Sequence, residues 1–474
     1  MLKSVIKILK KTLASLLIVL MAAATCPSSA WSFSISEEKE LGEKLLYTVR
    51  ASFPIIEDPD LHQYLTDIGR EVLEVAGIQY FDYHFHIVKS NQFNAFAAPS
   101  GLIFFYTNLI EAMNTEDELV SVLAHEIGHV VRRHIASRYR KGTVINIASL
   151  GAALAALALG GGALTSGLFA TSMAAGQSAQ LYFSRQDEME ADLLAYKWLR
   201  DLDRDTEGQK RMLQTMRRIT RYRSEQVPQY LLTHPDPEAR LDYVESLIAA
   251  DNDYQPSADD MKEFDFLRFK YRIMSLEDNT APFKAFLAGK MSDERTDEFQ
   301  RIMAMYGLSQ IDLRENNYTR SLTRLETVMK AFPDEWILEI DQANTLAAQG
   351  NLQEAEKILA AVYRANPTDL YVMFSLGKVY GKREKYDEAL VLFAEVEKNF
   401  AEFSALYFEM GRILSKQGKS VESRFYLGKY NLYEGKLKLA EANFKQTAVK
   451  AKEGSSVKQE SQEMLDLIER LQKK

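Results

Sequence analysis

Residues 119–134 read LVSVLAHEIGHVVRRH, with His125 and His129 four apart and Glu126 directly after the first. On an α-helix that spacing puts both imidazoles on one face, where they can reach a single ion. Glu126 is rotated by about 100° from His125, so it would flank the ion rather than ligate it. There it could take a proton from a water that the metal activates. With 7 His and 66 acidic residues in 474, a chance H-E-x-x-H is expected in roughly one such chain per hundred. The pattern favours zinc over an ordinary amphipathic helix, but it supplies only two ligands.

A third ligand should lie on a second helix, and SRQDEMEADLLAYKWL (184–199) offers one, with apolar residues on one side and acids at its start. Glu188 and Asp192 are four apart and share a face. Glu188 is the expected third ligand, and Asp192 the carboxylate that orients a ligand histidine. Glu190 points elsewhere, towards solvent. Two histidines and a glutamate leave one coordination position open, the arrangement of a catalytic zinc site with one Zn2+ per chain. Hydrolysis also needs a group to stabilise the oxyanion. His234, in LLTHPDPEARL (231–241), could donate to it, cap an idle site as a fourth ligand, or cap a turn. His134, beyond the helical face of His129, is expected to be structural, and His62 has no partner in view.

These side chains need a scaffold. Thr115 and Glu118 have capping-box spacing, so the H-E-x-x-H helix is argued independently of its motif. NAFAAPSGLIFFYTNLI (94–110) reads as two short strands around a Pro-Ser-Gly turn, with Pro99 marking an edge or strand end. YFDYHFHIV (80–88) alternates as a half-exposed strand with His84 and His86 facing outward. Residues 36–78 read as helix, and 252–300 as a charged, weakly periodic helical connector. Beyond about 300 the chain repeats: Ser309, Ala343, Gly377 and Gly411 are 34 apart, as are Ser321, Ala355, Ala389 and Ser423. That period, with small residues where paired helices approach, is that of tetratricopeptide repeats. Gly350 and Gly418 should form turns within repeats, and helices at 436–452 and 456–472 should close the stack.

The length predicts two or three domains, and 46% hydrophobic with 26% charged residues describes a globular protein. A net charge of −8 gives no reason to expect nucleic acid as a partner. Lys3, Lys7, Lys10 and Lys11 precede the apolar run TLASLLIVLMAAA (12–24), and SSA at 28–30 suits signal peptidase. Cleavage near Ala30 would remove four lysines and no acids, taking the net charge from −8 to −12. Lipidation at Cys26 and an uncleaved anchor are the rival readings. Cys26 is the sole cysteine, so the mature chain would have no thiol or disulfide chemistry, and export points to a bacterial periplasm. Residues 144–176, rich in Ala, Gly and Leu, suggest an apolar flap or a membrane-touching hairpin, because LGGG interrupts a span.

HEIGH, SRQDEMEAD and THPDPEAR, with NAFAAPSG before them, resemble in order and spacing the HtpX-like and CAAX-prenyl-endopeptidase family of zinc peptidases. The resemblance implies zinc on His125, His129 and Glu188 with Glu126 as general base. It further implies that Asn94, Ala95, Phe96, Ala97 and Ala98 form the edge strand onto which a substrate adds. Unlike the membrane-embedded relatives, no unambiguous transmembrane helices flank the motif, so prenyl-peptide processing is not expected. With an export signal and repeats, the chain is similar to exported peptidases that serve outer-membrane proteins. That implies unfolded or stalled outer-membrane β-barrel proteins, or their assembly machinery, as partners.

The expected architecture is a signal peptide (1–30), an α+β zincin-like metallopeptidase domain, mostly helical with a small sheet (31–250), a connector (251–300) and an all-α tetratricopeptide-repeat solenoid (301–474). Its expected activity is peptide-bond hydrolysis, with clients docked by the repeats. The alternative is a chaperone or scaffold with a largely idle zinc site.

Overall fold

The computed structural model describes residues 34–472, apart from 136, 138–182, 223–228, 252 and 257–259. The expected leader, Cys26 and the 144–176 stretch lie outside the described residues. Among the described residues no helix is long and apolar enough to cross a membrane.

The expected helix at 36–78 is two helices, α1 (Ile35–Ser52) and α2 (Pro59–Ala76), separated by β1 (Ile55–Ile56). Pro54 and Pro59 account for the break, since each removes a backbone donor and disfavours helix in the residue before it. Then follow β2 (His84–Val88), β3 (Ala95–Ala98), a 3₁₀ turn (Pro99–Gly101) and β4 (Leu102–Tyr106). The sheet order is β1-β2-β4-β3, with β2 and β4 parallel and both outer strands antiparallel to their neighbours. The Pro-Ser-Gly turn falls where expected, and Ser100 and Gly101 take positive φ (70° and 81°) to form it. Strand β3 ends the sheet.

β2 is not half-exposed. His86 is buried and stacks on Phe104, while His84 Nδ1 lies 3.0 Å from Glu402 of the repeats. Alternation reveals two faces, but not that helices and repeats cover both of them.

After α3 (Thr107–Ala112) comes the motif helix α4 (Glu116–Val131), buried along nearly its whole length. Thr115 caps it, accepting from the Glu118 amide at 3.3 Å. The box is only half formed, because the Glu118 carboxylate accepts from Asn114 instead (2.7 Å). Then follow α5 (Arg185–Asp201), α6 (Glu207–Tyr222), α7 (Gln229–Thr233) and α8 (Pro237–Ala250); α5 and α6 pack on α4, and α8 packs on both of them.

α9 (Asp260–Ser275) corrects the expectation of a plain connector. Its Phe264, Phe266, Phe269, Tyr271 and Ile273 are buried, and its cations are paired inside. Arg268 holds Asp60, and Arg272 holds Asp58 at 2.8 Å and Asp341 at 2.9 Å. Mixing aromatic and basic residues hid a helix that is buried all round.

The rest is paired helices: α10 (Ala281–Ser292), α11 (Glu298–Arg314), α12 (Tyr318–Ala331), α13 (Ile337–Gln349), α14 (Leu352–Ala365), α15 (Leu370–Lys382), α16 (Tyr386–Asn399), α17 (Ser404–Lys416), α18 (Ser420–Tyr433), α19 (Leu437–Lys450) and α20 (Ser456–Gln472). The 34-residue period has a physical basis. Ser321 Oγ donates to the Ser309 carbonyl at 2.9 Å, and three periods later Ser423 Oγ donates to Gly411 at 2.8 Å. A positive φ recurs at Asn316, Gly350, Glu384 and Gly418, also 34 apart. The repeats do not hang free. Arg50 Nε donates to the Tyr433 carbonyl at 2.8 Å, and His62, which had no visible partner in sequence, stacks on Phe400.

Candidate metal centre and active site

α4 and α5 meet where Gly128 faces Ala191. A Cβ on Gly128 would lie 3.3 Å from the Ala191 Cα, so the small pair lets the two backbones approach. Ser184 and Asp187 form a reciprocal capping box (3.1 and 3.0 Å), fixing the start of α5 immediately before Glu188. The two helices thereby face His125 and His129 towards Glu188.

α7 and the turn after it bring in His234. His125, His129, Glu188 and His234 each offer a ligand atom, all within 4.8 Å of one another and all buried. His125 Nε2 lies 3.0 Å from His129 Nε2 and 3.3 Å from His234 Nδ1. Glu188 Oε1 lies 3.1 Å from His234 Nδ1 and 3.5 Å from His129 Nε2. Metal–ligand bonds of about 2.0–2.1 Å in a tetrahedron put neighbouring ligand atoms about 3.3 Å apart. The observed separations straddle that value. Three imidazoles and a carboxylate converging on one dry point suit a divalent cation.

Ionisation agrees with this geometry. Burial, followed by the neighbouring histidines, pushes His129 well below its ordinary value, and burial takes His234 down to about 3. Both stay neutral, the form that donates a lone pair. Burial raises the Glu126 carboxyl, which suits a group that must accept a proton. Glu126 Oε2 accepts from the Ala97 amide at 2.8 Å, while Oε1 faces His234 Nε2 at 3.5 Å.

The supporting groups are as specific. Asp192 lies 2.9 Å from His125 Nδ1, fixing which nitrogen faces the cluster. Burial alone would raise the Asp192 carboxyl, but Arg240 and His125 outweigh it and hold it below the usual carboxylate range. Arg240 lies 2.7 Å from Asp192 and 2.9 Å from Glu188. Its part in this centre was not apparent from sequence, although it stands inside the quoted THPDPEAR. Phe183 stacks on His129 and Tyr230 on His234, at ring-centroid distances of 3.7 and 4.3 Å. No sequence pattern singled out either aromatic.

His134 corrects an expectation. It does not face away: its Nδ1 lies 2.9 Å from His129 Nδ1, where it can orient that ring as Asp192 orients His125. Helical spacing misplaces it because α4 stops at Val131 and Arg133 adopts a φ of 51°, folding the chain back. Glu190 lies towards the surface, paired with Arg132 at 2.9 Å and 3.5 Å from His134 Nε2.

His234 is not the turn cap. Asp236 caps α8, its side chain accepting from the Ala239 amide at 3.3 Å. Asn94, Ala95, Phe96, Ala97 and Ala98 are all buried, with the outer edge of β3 facing α4. Part of that edge is already occupied: Ala97 by Glu126, and the Phe93 carbonyl by the Tyr230 amide of α7 at 3.3 Å.

Comparison with known proteins agrees with this centre. Residues 59–248 match peptidase family M48, and residues 306–369 match a tetratricopeptide repeat family. The chain is 28% identical over 385 residues to the β-barrel assembly-enhancing protease of Yersinia pestis, covering 72% of this chain and 76% of that one. It is 29% identical over 323 residues to the protein of the same name from Escherichia coli K12, covering 66% of this chain and 64% of that one, just under two thirds. Over 108 residues it is 27% identical to the mitochondrial metalloendopeptidase OMA1 of Schizosaccharomyces pombe, covering 22% of this chain and 32% of that one.

Proposed function

The chain carries a peptidase M48 domain with tetratricopeptide repeats behind it, and on that footing we propose that it is a periplasmic zinc endopeptidase. It acts in the quality control and assembly of outer-membrane β-barrel proteins, and the repeats dock its clients. The observation that carries the reading is the convergence of His125, His129 and Glu188 beside Glu126, at the edge of β3. Donors of this type at tetrahedral spacing suit zinc. The names of the bacterial relatives suggest the client class.

When bound, zinc supplies a Lewis acid that polarises a peptide carbonyl and acidifies a water. This chain's residues do the rest. Asp192 and His134 hold the two ligand imidazoles in one tautomer and orientation. Glu126 is anchored through Oε2 by Ala97, which leaves Oε1 to take the proton of the attacking water and pass it to the leaving amine. A client segment adds along β3, with main-chain hydrogen bonds giving affinity irrespective of sequence. For that, α7 must withdraw from Phe93 and His234 from the cluster.

His234 is read as a fourth ligand that holds the resting site idle, in preference to an oxyanion donor. That position favours a second reading, in which the chain is chiefly a chaperone or scaffold and cuts only when α7 moves. We place the peptidase unit at 31–250, with 251–300 joining it to repeats at 301–474, after a signal peptide at 1–30.

The test is cleavage of an unfolded outer-membrane β-barrel protein by the purified chain. Cleavage should stop with a chelator, return with zinc, and spare the same substrate once folded. Chelator-resistant cleavage would rule the reading out.

A further inference from the structure

A cavity of about 480 Å3 lies on the inner face of the repeats, within the about 300–1,000 Å3 typical of ligand pockets. Glu57, Asp58 and Pro59 of the peptidase domain line one side of it. Along α15, Phe374, Lys378 and Lys382 are spaced by four and all line it, an aromatic followed by two cations. Lys378 Nζ sits 5.4 Å from the centre of the Phe374 ring. Leu313 and the half-exposed Phe408 add apolar wall.

The charges in this pocket are unevenly satisfied. Each lining acid has a partner: Glu57 holds Arg50, Asp58 lies 2.8 Å from Arg272, and Glu409 2.6 Å from Arg412. Among the described residues, neither Lys378 nor Lys382 has a carboxylate within ion-pair distance. Burial lowers the pKa of the Lys378 ammonium, which a bound anion would oppose. A third group points the same way. Gln310 is buried at 4% exposure, and its amide nitrogen has no hydrogen-bond partner among the described residues.

We infer that this pocket receives the free C-terminus of an extended polypeptide whose last side chain is aromatic. The terminal carboxylate is held by Lys378, Lys382 and Gln310, and the side chain lies against Leu313, Phe374 and Phe408. Two lysines without a carboxylate partner and one unpartnered amide, beside an apolar wall, complement one carboxylate next to an apolar group. The inference rests on the reading that the repeats dock clients, and it names what they recognise.

The test is fluorescence anisotropy of the zinc-loaded chain with a labelled ten-residue peptide ending in phenylalanine. Three forms are compared: the free acid, the C-terminal amide, and an amide carrying a glutamate next to the phenylalanine. The free acid should bind at least tenfold tighter than either amide, and added salt should weaken it. Lys378→Met and the exposed Lys382→Met should each weaken it severalfold with unchanged melting temperature. Equal binding of acid and amides, or undiminished binding in both variants, overturns the inference. Cleavage of an unfolded β-barrel protein by the same preparation, run in parallel, keeps the two proposals distinct. Cleavage without C-terminal discrimination removes only this inference, and discrimination without cleavage removes only the peptidase reading.

Discussion

The Glu126 carboxylate accepts the outward-facing amide of Ala97 at 2.8 Å, tying the expected general base to the strand expected to hold substrate. One hydrogen bond thereby fixes the distance between the proton acceptor and the line along which a peptide would lie.

The same cleft predicts how His234 behaves. As a fourth ligand it excludes substrate, so His234→Ala should raise cleavage severalfold and leave one zinc bound by the remaining three donors. Cleavage of a casein-type unfolded substrate, with zinc measured in the same sample, checks this. A loss of about 10²–10³-fold with zinc retained would instead make His234 an oxyanion donor.

Arg240 is the buried countercharge for Asp192 and Glu188. Removing one partner of such a group strands the other, at a cost of about 3–5 kcal/mol. Metal-free Arg240→Gln should lose about that much stability in urea. Zinc, which also compensates these carboxylates, should narrow the gap to wild type. A gap that zinc widens, or none in the metal-free protein, contradicts the assignment.

The contact between sheet and repeats should depend on pH. The hydrogen bond that His84 donates to Glu402 raises His84 above its ordinary value. Burial alone would raise Glu402, but His84, His86 and Arg50 outweigh it and hold it at about 2. The raised His84 stabilises fully below its unfolded value of about 6.5, and the effect is lost as pH rises through the folded value. The lowered Glu402 stabilises above about 4.5, and the effect is lost as pH falls towards 2. Wild type should therefore exceed His84→Gln in urea stability most near about pH 5–6, with the difference shrinking as pH rises through the folded His84 value. A difference that grows with pH contradicts the pairing.

Much of this was legible in the sequence, because helical spacing is a geometric rule. It put His125 with His129 on one helical face and Glu188 with Asp192 on another, and the 34-residue period located the repeats. What was hidden depends on chain reversals and long-range packing. His134 reaches His129 only because Arg133 turns left-handed, and Arg240 and Phe183 arrive from distant segments. α9 has the sequence of a connector because its aromatics and cations are buried together, which no local period expresses.

The repeat turns allow a stability test. Glu384 holds a φ of 61° at the position where Gly350 and Gly418 stand one period either side. A left-handed non-glycine residue costs about 1–2 kcal/mol, and glycine returns part of that gain through a more flexible unfolded chain. Glu384→Gly should raise the urea midpoint by an amount equivalent to about 0.5 kcal/mol with an unchanged slope. A lowered midpoint would mean that the Glu384 side chain supports the turn in some other way.

The central claim is that Glu126 is the proton acceptor of a metal-dependent peptidase. Its most direct test is Glu126→Gln in the full chain, with zinc content and cleavage of an unfolded outer-membrane β-barrel protein measured on the same preparation. The account predicts one zinc per chain, as in wild type, and cleavage slower by about 10²–10⁴-fold. Cleavage at the wild-type rate with zinc bound would contradict it.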